Sequence, residues 1–390
     1  MTIPVDPLLP IDTTARTTPL RIRPQLLPGV ALLAILVIGL LSSLYALVAN
    51  NSELPAGAVS WSSVADGKTA AAVSRFLQQA NPLENPLVTF DRVSSYLLTG
   101  DLGARVRQGC GNWLFLTDEL VLHPDRGTNI TKHVQLVEQV AAYLKRQGIG
   151  LVVAPVPDKS RVEATELCGV DRPAAIAGRL GEFERRLGAA GIDTVDLLRP
   201  MTATGGELYY HTDTHWNERG AKVAADAIAA ELQRRGLAPT QKAEFKITHN
   251  PPQERVGDLV RLAGLDNVPY PLRPRGDEAT VTEIEQSAAQ GVGLLDETPA
   301  PQLVVIGTSF SRRADFVPFL SLALSAPVDN RAEDGGGVTA AAIAYFAKPE
   351  FAKTPPRAIV WEIPERMIEE DVPASDGAWA KTLASAQSVK

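Results

Sequence analysis

Two short segments carry the residue types that acyl-transfer chemistry needs. Gly307-Thr308-Ser309-Phe310-Ser311 follows directly on the apolar run 302–306. A small-residue turn leaving a buried strand exposes a serine hydroxyl and leaves backbone N–H groups free to face an oxyanion. The same residues also suit an ordinary strand-to-helix turn, with Ser309 or Ser311 as the helix cap. The second segment, Tyr209-Tyr210-His211-Thr212-Asp213-Thr214-His215-Trp216-Asn217, holds Asp213 and His215 two residues apart. A hydroxyl nucleophile needs a base, and the base needs a carboxylate to fix its tautomer. Asp213 and His215 offer that pair locally. Two other readings fit the same segment. His211, Asp213 and His215 form a candidate metal set lacking an evident further ligand, and Asp213 also suits the positive end of a helix dipole. A third segment, Val328-Asp329-Asn330, precedes Asp334-Gly335-Gly336-Gly337. The Asn330 amide is a candidate oxyanion donor, alongside plain turn chemistry.

These residues need elements to hold them. Apolar residues at helical spacing predict a helix over 130–146, with others around 173–190 and over 217–235, the last with Asn217 as N-cap. Short β-rich runs predict strands at 150–155, 191–197, 302–306 and 358–363. Strands alternating with helices imply a mostly parallel sheet covered on both faces, an α/β fold. Ligands of such sheets sit outside the carboxyl ends of the strands, where the candidate segments fall. Residues 50–100 read as a stalk and amphipathic helices interrupted at Pro82 and Pro86. Residues 237–300, rich in Pro, Gly and charge, read as an irregular insertion, and no internal repeat is visible.

Composition narrows the class further. The chain has 390 residues, 45% of them hydrophobic, and two cysteines. That is too apolar for disorder, with too few cysteines for a disulfide scaffold or a zinc ribbon. A net charge of −7 argues against a nucleic-acid binder. Residues 29–49 carry no charge, and about 20 apolar residues at 1.5 Å each match a hydrocarbon core of roughly 30 Å. Arg16, Arg21 and Arg23 precede this run while Asn50, Asn51 and Glu53 follow. That arrangement predicts a cytoplasmic tail (1–28), an uncleaved anchor and an exported remainder. The competing reading is a signal peptide cleaved at Ala56-Gly57-Ala58. An oxidising compartment permits a bond between Cys110 and Cys168, 58 residues apart and worth about 4 kcal/mol, with two separate buried thiols as the alternative.

Taken together, the segments closely resemble the SGNH-hydrolase-like domain of the AlgJ/AlgX family of alginate O-acetyltransferases. The resemblance rests on Gly111-Asn112-Trp113-Leu114-Phe115-Leu116, Pro155-Val156-Pro157-Asp158-Lys159, the 208–217 segment, 307–311 with Phe310 where Tyr is usual, and Trp361-Glu362-Ile363-Pro364-Glu365-Arg366. Asp213 and His215 precede Ser309, the circularly permuted order of this family. The resemblance implies Ser309 as nucleophile, His215 as base and Asp213 as its orienter. Asn330, Arg366 and Lys159 are its candidate oxyanion or substrate contacts, an ion pair being the other reading of Lys159. It further implies a catalytic domain over 101–372, with 373–390 as a C-terminal tail. The sequence stops at Lys390, leaving no carbohydrate-binding module, and with its anchor resembles the AlgJ branch. The implied partners are a membrane-bound O-acyltransferase as acetyl donor and an exported polysaccharide, or a downstream acetyltransferase, as acceptor. No cofactor or metal is implied. An acetylesterase on the same residues and a non-catalytic scaffold of an export complex are the alternative functions.

Overall fold

The computed structural model describes residues 27–49, 60–280, 282–287 and 300–385. The flanking residues Arg16, Arg21, Arg23, Asn50, Asn51 and Glu53 and the candidate cleavage site Ala56-Gly57-Ala58 lie outside the described residues. The chain divides into two compact units, Met1–Phe90 and Asp91–Lys390.

In the first unit, α1 (Leu27–Ala49) contains no charged residue and its side chains are largely exposed. By length and composition it can cross a membrane. It is followed by α2 (Trp61–Ala65), α3 (Lys68–Ala80) and the start of α4 (Glu84–Thr99). Ser60 caps α2 by accepting from Ser63 N–H, and the Ser63 side chain returns the bond to the Ser60 backbone. Pro82 falls in the break between α3 and α4. Pro86 lies in the first turn of α4, where a missing N–H costs no helical bond.

The second unit begins with the antiparallel hairpin β1 (Val106–Gln108) and β2 (Leu114–Leu116). Next come α5 (Arg126–Arg146), β3 (Gly150–Val156), α6 (Lys159–Val162), α7 (Arg179–Ala189), β4 (Asp193–Thr194), α8 (Leu198–Thr204) and α9 (Glu218–Arg234). Asn217 caps α9 through Gly220 N–H, as its position before the periodic run predicts. The region read as irregular instead contains β5 (Phe245–His249), β6 (Gln253–Arg255), α10 (Asp258–Leu262), β7 (Asp277–Ala279) and β8 (Thr282–Gln286). Its strands pair as two antiparallel ribbons, β5 with β8 and β6 with β7. The partners lie far apart in sequence and are mostly exposed, so no apolar alternation announces them. The chain continues through β9 (Leu303–Ile306), α11 (Phe316–Leu324), β10 (Val328–Asn330), α12 (Ala340–Phe346), α13 (Pro349–Lys353), β11 (Ala358–Pro364) and α14 (Ala374–Ser385).

Five parallel strands form the sheet, in the order β10-β9-β11-β3-β4. Their side chains alternate between two cores, as strand geometry requires. Val152, Ala154, Val305 and Val360 pack under α9 and α11, while Val153, Val304, Ile359 and Trp361 pack under α5, α7 and α12. β4 is shorter than the 191–197 expected, pairing with β3 over two residues. α14 occupies part of the expected tail and packs on α5, burying Ala380 and donating no periodic signal because its sequence is alanine-rich with little polar contrast. Cys110 and Cys168 are joined in a disulfide that ties the β1–β2 hairpin to the loop after α6.

Candidate active site

The parallel strands place the carboxyl ends of β3, β9 and β11 at one edge of the sheet, and the candidate residues gather there. Gly307 leaves β9, and Ser309 opens a 3-10 turn over Ser309–Arg312. Ser309 is half-buried, while Thr308, Phe310 and Ser311 are buried. At the first position of the turn, the Ser309 N–H has no preceding carbonyl within the turn to bond. The turn leans on Glu362 of the adjacent strand β11. Thr308 N–H donates to Glu362 Oε2 at 2.7 Å, Thr308 Oγ1 to Oε1 at 3.0 Å, and Ser311 Oγ to Oε2 at 3.1 Å. Only glycine fits at 307, where a Cβ would lie 2.5 Å from Glu362 Oε2 and 3.0 Å from its carbonyl oxygen.

The 209–217 segment crosses the same edge as a loop pinned by the Tyr209–Trp216 bridge. His215 is buried and its two ring nitrogens face two residues. Nδ1 lies 2.6 Å from Asp213 Oδ1, and Nε2 lies 2.7 Å from Ser309 Oγ. The ring packs against Phe310 at 4.8 Å, and Phe310 also meets Trp216 edge-on at 5.1 Å. A serine and a histidine 94 residues apart are thus brought into hydrogen-bond contact.

Asp213 has all its acceptor positions engaged. Oδ1 also accepts from His215 N–H at 3.0 Å, and Oδ2 accepts from Arg255 Nη2 at 2.7 Å and Asp258 N–H at 3.2 Å. Burial pushes the Asp213 carboxyl upward. The hydrogen bond and charge of His215, with Arg255, more than offset this and hold it well below the usual carboxylate range. Asp258 accepts from Thr214 N–H at 2.8 Å and Thr214 Oγ1 at 2.6 Å, and Asp277 accepts from His211 N–H, Thr212 N–H and Thr212 Oγ1. Arg255, Asp258 and Asp277 all come from the segment read as an irregular insertion. In the sequence, Gly257-Asp258 before an apolar run signals a helix start, but no spacing ties it to position 213.

Lys159 has a different part from the substrate contact or ion pair expected of it. It is fully buried, and its Nζ donates to the carbonyls of Leu114 at 2.6 Å, His211 at 2.8 Å and Asp213 at 3.0 Å. Those three bonds use all three ammonium hydrogens. Trp113 and Phe115 cover it at 5.1 Å and 5.2 Å. Burial lowers its pKa to about 8, against the pull of Glu119, Asp277, Asp213 and Asp258. Asn330, expected as an oxyanion donor, braces the turn. Its Nδ2 donates to Ser311 O at 2.8 Å and its Oδ1 accepts from Ala332 N–H at 3.1 Å. Arg366 is buried with its guanidinium 5.4 Å from the Phe310 ring, and its charge acts on the buried carboxyls of Glu119 and Glu362.

His211 does not converge with Asp213 and His215. Its ring packs at a tilt against Trp113, 4.3 Å between centroids, and its Nε2 lies 3.1 Å from Glu207. Among the described residues, the group with metal-ligand spacing here is Asp213, His215 and Asp258, and their hydrogen bonds to one another and to Thr214 already account for it. The arrangement is a serine–imidazole–carboxylate relay at a strand end, the geometry of nucleophilic acyl chemistry.

Comparison with known proteins identifies the family. Residues 106–365 match the SGNH hydrolase-like domain of acetyltransferase AlgX. The probable alginate O-acetylase AlgJ of Azotobacter vinelandii is 31% identical over 83% of this chain and 85% of its own length. The solved O-acetyltransferase domain of Pseudomonas putida AlgJ superposes with a TM-score of 0.63 at 28% identity, over 72% of this chain and 99% of that one. The structure of Pseudomonas aeruginosa AlgX gives a TM-score of 0.56 at 26% identity, over 72% of this chain and 67% of that one. The match runs from the β1–β2 hairpin to the end of β11 and takes in every residue of the relay, and so the chain belongs to the AlgJ/AlgX family of SGNH hydrolase-like acetyltransferase domains, on its AlgJ-like branch.

Proposed function

We propose that this chain is an O-acetyltransferase that acetylates hydroxyl groups of an exported, alginate-like polysaccharide through an acetyl-Ser309 intermediate. The observation that carries the reading is the relay itself, Ser309 Oγ at 2.7 Å from His215 Nε2 and Asp213 Oδ1 at 2.6 Å from Nδ1. The likeness to AlgJ, a probable alginate O-acetylase, supplies the acceptor class. On this reading His215 Nε2 takes the Ser309 proton as Oγ attacks the acetyl carbonyl, and Asp213 stabilises the imidazolium. The oxyanion faces the Ser309 N–H. Collapse expels the donor oxygen, which leaves with the proton from His215. A sugar hydroxyl then gives its proton to His215 and attacks the acetyl-enzyme, and Ser309 departs with that proton.

The acetyl donor on this reading is a membrane-bound O-acyltransferase, and the acceptor is the polysaccharide itself or a downstream acetyltransferase. Helix α1 serves as an inner-membrane anchor, with the N-terminus in the cytoplasm and the site outside it. The test is acetyl release from an activated acetate ester by the anchored protein. Ser309→Ala and His215→Ala should each lose about 10⁴-fold or more, and mass spectrometry should find an acetyl group on Ser309. Wild-type rates in both variants would overturn the reading. Product analysis with an acceptor oligosaccharide present separates transfer from hydrolysis.

A further inference from the structure

Glu362 is fully buried in the central strand β11, and no lysine, arginine or histidine lies within ion-pair distance of it among the described residues, although the charge of Arg366 acts on it from farther away. A buried carboxylate normally demands a cation or a full set of donors. Here the donors all come from one place. Thr308 N–H, Thr308 Oγ1 and Ser311 Oγ bracket Ser309 in sequence, and all three end on Glu362. Registry explains how the carboxylate arrives there. Trp361 pairs with Ile306, so Glu362 stands beside Gly307, the residue that leads into the turn. Gly307 in turn has no room for a Cβ against the side chain and carbonyl of Glu362.

A neutral core residue would pack the same strand without this cost in desolvation. Nor does fold stability require three donors from a single turn. The set of contacts suits a different task, holding the backbone on either side of one hydroxyl.

Resting on the reading of Ser309 as nucleophile, we propose that Glu362 is a positioning residue for it. Its carboxylate locks the 308–311 turn so that Ser309 Oγ stays aligned with His215 Nε2 and the Ser309 N–H stays free for the oxyanion. A carboxylate accepts all three donors with full negative charge, whereas an amide keeps one uncharged acceptor oxygen and turns its NH2 toward Thr308 Oγ1, which must then accept, so the hold on the turn weakens.

The experiment uses the full-length protein in detergent, with Glu362→Gln, Thr308→Val and Ser311→Ala beside Ser309→Ala. Hydrolysis of p-nitrophenyl acetate and the rate of Ser309 labelling by a serine-reactive fluorophosphonate are both measured. A misplaced reacting group costs about 10²-fold. E362Q should therefore lose kcat by about that factor with KM for the ester within two-fold, and Ser309 should label correspondingly more slowly. T308V should lose less, and T308V combined with E362Q should lose no more than E362Q alone, because both break the same contact. Wild-type kcat and labelling in E362Q would overturn the proposal. Should E362Q fail to fold, T308V and S311A carry the same test, and wild-type labelling in both overturns it. If S309A keeps full activity, the nucleophile assignment falls first. If S309A is dead and E362Q is unimpaired, only the role of Glu362 falls.

Discussion

Replacing Lys159 with methionine, which has similar bulk and no charge, separates two opposing contributions. The ammonium makes three hydrogen bonds to the carbonyls of Leu114, His211 and Asp213. Charge-assisted bonds of this kind are worth about 1.5–3 kcal/mol each. Against them stands the cost of burying the charge, visible as a pKa lowered from 10.5 to about 8. That interval corresponds to roughly 3 kcal/mol. Methionine leaves the three carbonyls without that donor, so Lys159→Met should destabilise the protein by about 3 kcal/mol or more at pH 7. The pH dependence has a definite sign. Between about 8 and 10.5 the unfolded chain keeps a proton on Lys159 that the folded chain has released. Stability therefore rises with pH across that window, and only in the wild type. Other titrating groups are common to both proteins and cancel in the difference. The stability gap between wild type and variant should widen from pH 7 to pH 10.5 by up to roughly 3 kcal/mol. Urea denaturation of the detergent-solubilised protein, followed by tryptophan fluorescence at both pH values, measures it. Since Lys159 anchors the carbonyls of 211 and 213, esterase turnover at pH 7 should fall by about 10²-fold as well. A gap that stays constant or narrows would refute the burial argument for Lys159, and unchanged turnover at pH 7 would refute the argument that its ammonium holds the loop.

Three further perturbations probe other parts of the site. Gly307→Ala forces a Cβ to within 2.5 Å of Glu362 Oε2, and the resulting shift should cost about 1–3 kcal/mol in thermal unfolding and slow Ser309 labelling. Asp277→Ala strands the N–H groups of His211 and Thr212 and the Thr212 hydroxyl. A loss of about 2–4 kcal/mol in denaturant unfolding is expected, with a lower kcat; normal stability would mean that the insertion does not brace the loop. Cys110→Ala with Cys168→Ala opens a 58-residue loop. The midpoint should drop by the equivalent of about 4 kcal/mol, and reductant should lower the wild-type midpoint toward that of the variant.

Much of the fold was legible from local pattern. The runs around Val152, Val305 and Val360 read as buried strands because both faces of the sheet are covered, and the periodic run after Asn217 read as a helix because one face is wet. Hydrophobic burial writes itself into consecutive residues, and so does a membrane-length apolar helix. Ser309, Asp213 and His215 were visible as residue types at strand ends. What polar residues do there was not visible, because a hydrogen bond leaves no trace at the other partner's position in the sequence. The segment 237–300 shows this most plainly. Its exposed ribbons carry no apolar period, yet they deliver Arg255, Asp258 and Asp277 to the Asp213 loop.

The sequence by itself determined the class of fold, the apolar helix at the N-terminal side and the chemical repertoire of the relay. The tertiary structure decided who touches whom. It set Ser309 against a histidine 94 residues away, turned Lys159 inward onto three carbonyls, and tied Asn330 to the carbonyl of Ser311 in the turn. The physical reason is one of range. Periodicity is a property of neighbours along the chain, whereas a desolvated charge takes whichever donors or acceptors the packed strands bring within 3 Å or so of it.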